Sequence, residues 1–176
     1  MKTLRALGLS GVIALCSLTA LSQGVHVTSA NGRVTLSLAA QKAYTLTPGG
    51  QLKTPVLTVS CQQKGKKTVR SVTFSPGAIL TEQEYSAFGN SASLRLTVKL
   101  PEHELSTNWV AYGSVETFTY YGKTEQERLT FLRELLNVPN ISIEFTPFLT
   151  GAPASCTFDL TELRAEFNRY PECAEK

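Results

Sequence analysis

Short runs of alternating apolar and polar residues recur along most of the chain. In one of them Leu57, Val59 and Cys61 alternate with threonine and serine. Because successive side chains of a β-strand point to opposite faces, this alternation predicts strands with one face in the core. Similar patterns predict strands at 25–28, 34–38, 69–74, 94–98, 109–112, 115–121, 141–145 and 156–160. Turn residues separate these short strands, which is typical of sandwiches and barrels.

The first two of these strands flank a sequence typical of a tight hairpin. Asn31 and Gly32 stand between them, and Asn-Gly favours the type I′ turn because both of its central residues take positive φ. We therefore predict an antiparallel hairpin here. The sequence leaves open whether residues 23–53 as a whole pair with the rest of the domain or form a flexible arm.

Two segments have helical spacing instead. Thr124 and Glu127 form a capping box ahead of a leucine-rich face. Asp159 and Glu162 are spaced to form a second capping box at the start of another helix, and Thr161 is the alternative N-cap residue. The predicted fold is therefore mainly β with two short helices, sandwich-like, with an α+β arrangement as the alternative.

The N-terminal residues have the pattern of a secretory signal. A short basic start is followed by residues 6–21, which carry no charge, and by Ala20 and Ser22 at positions −3 and −1 of a signal-peptidase site. The apolar run is short for a membrane span, which needs about 20 residues. We predict a cleaved signal peptide over residues 1–22.

The mature chain is then a single β-rich exported domain, residues 23–176, in the periplasm or outside the cell. Nothing in it is apolar over a length that could span a bilayer. Two alternatives for processing are a cut after Ala30 and lipidation of Cys16. Leu15 disfavours lipidation, because lipoprotein signal peptidase requires a small residue before the cysteine.

Charge argues against a nucleic-acid partner. The full chain has 17 basic and 14 acidic residues, a net charge of +3. Without Lys2 and Arg5 the count is 15 against 14, a net charge of +1. A near-neutral chain lacks the basic excess that nucleic-acid binding requires.

The residues that carry chemistry are few. His26 and His103 stand at no metal-ligand spacing from any cysteine, and no cofactor motif is present. A Ser-His-Asp set can be assembled on paper from His103 and Asp159. However, the chain has no Gly-x-Ser-x-Gly elbow, and Asp159 suits a helix cap better. We therefore predict no catalytic residue, no metal and no cofactor.

Two candidate binding features remain. Lys64, Lys66 and Lys67 form a basic cluster at a predicted hairpin tip. It could meet phosphate, a lipid headgroup or an acidic partner, or simply keep a sheet edge soluble.

The second feature is an aromatic-rich stretch, which consists of Trp109, Tyr112, Tyr120 and Tyr121. Alternation places Tyr120 and Tyr121 on opposite faces, so some of these rings must be exposed or lie at a sheet edge. Exposed aromatic rings favour protein or glycan contacts, whereas core packing alone would explain Trp109.

Several of these segments follow one another in a recognisable order. They are LTVSC at 57–61, LRLTV at 94–98 followed by Trp109, FLREL at 131–135, and TFDLT at 157–161 ahead of Cys173. Over residues 54–173 this succession resembles a family of small exported bacterial proteins, some of them accessory to type VI secretion systems. The resemblance implies a compact β-rich domain.

The resemblance also bears on the cysteines. Cys61, Cys156 and Cys173 remain after the signal, and their spacing alone cannot choose a pair. The resemblance implies a Cys61–Cys173 disulfide with Cys156 as a buried thiol, and Cys156–Cys173 is the alternative. The function expected is a non-enzymatic binding or accessory module of the bacterial envelope, associated with secretion, whose partner is another envelope protein. The alternative is an envelope hydrolase or an inhibitor of an envelope enzyme.

Overall fold

The computed structural model describes residues 24–42, 44–45, 52–80, 84–86, 89–112, 116–147 and 151–174. The predicted signal peptide lies outside these residues.

Most of the described chain is strand, as predicted. The strands are β1 (His26–Ala30), β2 (Arg33–Ala39), β3 (Tyr44–Thr45), β4 (Leu52–Lys53), β5 (Val56–Lys64), β6 (Lys67–Ser75), β7 (Glu84–Ser86), β8 (Gly89–Lys99), β9 (Glu104–Tyr112), β10 (Phe118–Tyr120), β11 (Asn140–Phe145) and β12 (Ala154–Asp159). The helices are α1 (Glu125–Asn137), α2 (Thr161–Phe167) and a final single turn, α3 (Pro171–Ala174).

The main sheet is antiparallel throughout and has the order β1-β2-β5-β6-β10-β9-β8-β11-β12, with β7 paired to β8. In the described part of the chain, the short strands β3 and β4 form a separate two-stranded sheet. The prediction of a mainly β fold with two short helices is confirmed. The two layers of the predicted sandwich are parts of one continuous sheet.

The sheet curls so that distant strands face each other. Phe74 on β6 makes edge-to-face contacts with Phe145 on β11 and Phe158 on β12, with ring centroids 5.6 and 6.3 Å apart. These strands are far apart in the sheet order, so their inner faces meet only if the sheet folds over. The Gln41 N–H, just after β2, donates to the Thr157 carbonyl of β12 at 2.9 Å and links the two ends of the sheet.

The inner face forms one hydrophobic core and the outer face is rich in hydroxyl groups. The largest fully buried side chains are Trp109, Phe74, Phe118, Phe158, Leu36, Leu38, Leu57, Leu96, Leu132, Leu135, Ile141 and Ile143. On the outer face the hydroxyls pair across strands. These pairs are Ser37 with Thr58 at 3.0 Å, Ser60 with Ser71 at 2.8 Å and Ser142 with Thr157 at 2.9 Å. Cross-strand pairs of this kind stabilise neighbouring strands.

The predicted N-terminal hairpin is confirmed. Asn31 and Gly32 have φ angles of 52° and 69°, the positive values of a type I′ turn. Strand β2 then pairs with β5 along its whole length and buries Val34, Leu36 and Leu38. Residues 26–39 are therefore part of the domain and not a flexible arm.

Helix α1 begins at the predicted cap. The Thr124 hydroxyl accepts a hydrogen bond from the Glu127 N–H at 3.1 Å. Glu127 reaches back, but its carboxylate accepts from the N–H of Lys123 and not from that of Thr124. Five side chains of the helix are buried, and all but Leu129 belong to the core: Leu129, Phe131, Leu132, Leu135 and Leu136.

The predicted second capping box is wrong. Strand β12 continues through Asp159, so α2 begins at Thr161 with Leu160 as its N-cap residue. The Asp159 carboxylate instead accepts from the Thr161 N–H at 3.0 Å. This backbone hydrogen bond lowers the pKa of Asp159, and a hydrogen bond with the Thr161 side chain lowers it further by a smaller amount.

The Cys61–Cys173 disulfide is present and joins β5 to α3 across 112 residues of sequence. The alternative pair, Cys156–Cys173, is excluded because Cys156 is a free, buried thiol. Its Sγ donates to the Ile143 carbonyl at 3.7 Å, and burial raises its pKa to about 12.

Candidate functional site

The structure divides the four predicted aromatic residues between two faces of the sheet. Tyr112 and Tyr121 are 72% and 51% exposed, whereas Trp109 is fully buried. Tyr120 packs against the core. The predicted binding surface is therefore wrong for Trp109, Tyr120 is only half-buried, and Tyr112 and Tyr121 remain as an exposed pair.

Pairing register explains why Trp109 and Tyr120 point inward. They are direct cross-strand partners on β9 and β10, so they share a face. The Tyr120 ring stacks on Phe131 of α1 with centroids 3.9 Å apart, and the Trp109 Nε1–H donates to the Thr107 hydroxyl at 2.8 Å. Burial raises the pKa of Tyr120, and the charges of nearby Glu127 and Glu134 raise it further.

The exposed tyrosines lie on the outer face of the β9–β10 hairpin. The Tyr121 N–H donates to the Asn108 carbonyl at 2.9 Å, which continues the pairing one residue beyond β10. Tyr112 is on β9, and strand alternation places Val110 on the same face between the two positions. We call Tyr112, Val110 and Tyr121 the tyrosine strip.

Val69 is a further exposed apolar residue that the sequence argument did not single out. It is 39% exposed and lies on the outer face of β6, the strand next to β10. Arg70 and Phe74 point inward on that strand, so the register places Val69 outward. The alternation around Phe74 indicates this position, because residues an odd number of positions from the buried Phe74 lie on the opposite, outer face of the strand.

The three predicted lysines are at one tip of the molecule. Lys64, Lys66 and Lys67 are exposed around the β5–β6 turn, where Gly65 has a φ of 63°. A residue other than glycine is strained at such a φ, so the conformation of this turn requires Gly65. Lys66 and Lys67 line a groove of about 570 Å³, together with Thr68, Val69, Arg70, Glu125 and Arg128.

Arg70 is the main polar residue that the sequence argument missed. Its side chain is 5% exposed, its Nη1 lies 3.0 Å from the Glu125 carboxylate, and its Nε–H donates to the Cys173 carbonyl at 2.8 Å. It therefore ties β6 to the start of α1 and to the disulfide-bonded end of the chain. The sequence does indicate Arg70, because it is a charged residue at an apolar position of an alternating strand.

Arg128 completes this cluster. Its Nε donates to the second oxygen of Glu125 at 3.0 Å, and its Nη1 donates to the Gly122 carbonyl at 2.6 Å. A Cβ on Gly122 would lie 2.8 Å from the Arg128 Cγ. The absence of a side chain at Gly122 therefore lets Arg128 approach.

The hydrolase alternative gains no support from the residues that suggested it. The Asp159 carboxylate is engaged by Thr161, and His103 is exposed in the β8–β9 turn. Among the described residues, no three His, Cys, Asp or Glu side chains are arranged to hold a metal ion. No helix in the described ranges is long and apolar enough to cross a membrane.

Comparisons with protein-family models, curated proteins and solved structures found no match to this chain. The resemblance to secretion accessory proteins therefore stays a prediction.

Proposed function

We propose that the chain is a non-enzymatic binding module of the bacterial envelope that contacts a protein partner through the tyrosine strip. The observation that carries the proposal is the exposure of Tyr112 and Tyr121 on one sheet face, while Trp109 and Tyr120 of the same hairpin pack inward. Tyrosine is enriched among the residues that dominate protein interfaces, because a rigid ring buries much area at little entropic cost.

The surroundings of the strip fit the same role. Hydroxyl side chains neighbour the strip: Ser75 of the adjacent β6 pairs with Thr117 at 3.0 Å, and Ser71 of β6 pairs with Ser60 at 2.8 Å. An apolar or aromatic centre within a polar, solvated rim is the common anatomy of a protein interface.

Export is part of the proposal. Its support is the signal-like N-terminus and the disulfide, which forms and persists in oxidising compartments. The resemblance of residues 54–173 adds an association with a secretion apparatus, and the partner is then another envelope protein.

A single substitution tests the strip. Tyr121→Ala should leave the thermal midpoint within about 2 °C, because exposed side chains contribute little to folding. It should weaken copurification of the partner from the native envelope by roughly thirtyfold if the ring is an interface anchor.

Tyr120→Ala is the matched control, since it removes the same ring one residue earlier. That ring stacks on Phe131, so its loss should lower the thermal midpoint clearly. If Tyr121→Ala lowered the midpoint while the partner still copurified, the proposal would be wrong.

A further inference from the structure

The groove at the tip of the β5–β6 hairpin gathers positive charge from several elements. Lys66 and Lys67 reach it from the hairpin, Arg70 from the interior of β6, and Arg128 from α1. Its volume of about 570 Å³ falls within the range of small-molecule sites, about 300–1,000 Å³.

Positive charge in the groove is only partly neutralised. Among the described residues that line the groove are four cations and one carboxylate, Glu125. Within the described ranges no carboxylate lies within 4 Å of the Lys66 or Lys67 ammonium, whereas Lys99 elsewhere is bound by two. Such a concentration of charge attracts anions even though the chain as a whole is near neutral.

The two arginines are held in place without a ligand. Arg70 is fixed by Glu125 and the Cys173 carbonyl, and Arg128 by Glu125 and the Gly122 carbonyl. A ligand would not have to order these side chains, which lowers the cost of binding. The lysines at the rim have flexible stems and act as point charges toward phosphate.

We propose that this groove binds a phosphate group, carried either by a free phosphoester or by a lipid headgroup. Lys66 and Lys67 contact the phosphate oxygens, and the Arg70–Glu125–Arg128 cluster supplies the positive floor. A compact anion suits a short concave site lined by several cations. An extended acidic peptide would need cations spread along a surface. The site is separate from the tyrosine strip and does not depend on it.

The experiment uses the mature, disulfide-bonded chain, two phosphate probes, and polyglutamate as the acidic-polypeptide comparison. Glycerol 3-phosphate is titrated in solution by calorimetry, and phosphatidylglycerol-containing vesicles are tested by co-sedimentation against pure phosphatidylcholine vesicles. Lys67→Gln should weaken binding of whichever phosphate probe binds by roughly fivefold. This is the contribution expected of one lysine near an anionic phosphate. Lys64→Gln is the matched control, because Lys64 is the cross-strand partner of Lys67 but does not line the groove. It should weaken binding by less than about twofold.

Binding of glycerol 3-phosphate would identify a free phosphoester, and binding to phosphatidylglycerol vesicles alone would identify the headgroup. Three results would overturn the proposal: neither probe binds, both lysine variants weaken binding equally, or only polyglutamate binds in a manner that depends on Lys67. The last would assign the groove to an acidic polypeptide. A Tyr112→Ala/Tyr121→Ala variant should bind phosphate like the parent, so this proposal and the partner surface can fail separately.

Discussion

Reduction of the Cys61–Cys173 disulfide should remove a large part of the stability of the fold. The bond closes a loop of 112 residues. In the chain-entropy relation, such a loop lowers the entropy of the unfolded state by about 16 cal/mol/K, or about 5 kcal/mol at 25 °C. Native domains are stable by only about 5–15 kcal/mol, so the reduced chain should unfold at a far lower urea concentration.

The buried Trp109, the one tryptophan of the chain, reports unfolding by its fluorescence. Cys61→Ala and Cys173→Ala should each cost several kcal/mol, and the double variant little more than either, because one bond is lost only once. Cys156→Ser is the control that keeps the bond and should cost about 1–3 kcal/mol for a buried hydroxyl. Equal urea midpoints for the oxidised and reduced chain, or additive costs in the double variant, would refute this reasoning.

Three further predictions concern single residues. Arg70→Met should lower the free energy of unfolding by about 3 kcal/mol, because Glu125 and the Cys173 carbonyl lose a buried partner; urea unfolding measures this, and a cost under about 1 kcal/mol would contradict it. Thr124→Ala should cost about 1 kcal/mol through loss of the α1 cap, and an unchanged urea midpoint would argue against that cap. Cys156, with its pKa raised to about 12, should not react with a disulfide reagent at pH 8 until urea unfolds the chain; rapid reaction of the native protein would show that the thiol is accessible.

Strands and turns of this fold could be predicted because their signals are local. The alternation around Cys61 and the Asn31-Gly32 pair each depend on a few neighbouring residues, and both were confirmed. The α1 cap was also predictable, since a capping box spans one helical turn. The second box failed because strand pairing extended β12 through Asp159, and tertiary pairing overrides a local capping preference.

The binding surface could be predicted only in part, because alternation separates two faces without saying which one is buried. The direction of Tyr120 depends on its pairing with Trp109 and on Phe131 of a helix that packs over both. The groove around Arg70 brings together residues 55 positions apart and depends on long-range packing. The one local indication of this groove in the sequence was Arg70, a charged residue on the apolar face of a strand.

The most direct test of the central claim is site-specific photo-crosslinking in the native envelope. A benzophenone amino acid replaces Tyr112, Tyr121 or, as a control, Arg133, which is exposed on α1. The account predicts that positions 112 and 121 yield an adduct with one and the same protein and that position 133 yields none. Adducts of that protein from position 133 alone, or no adduct from either tyrosine position in a correctly folded chain, would contradict it.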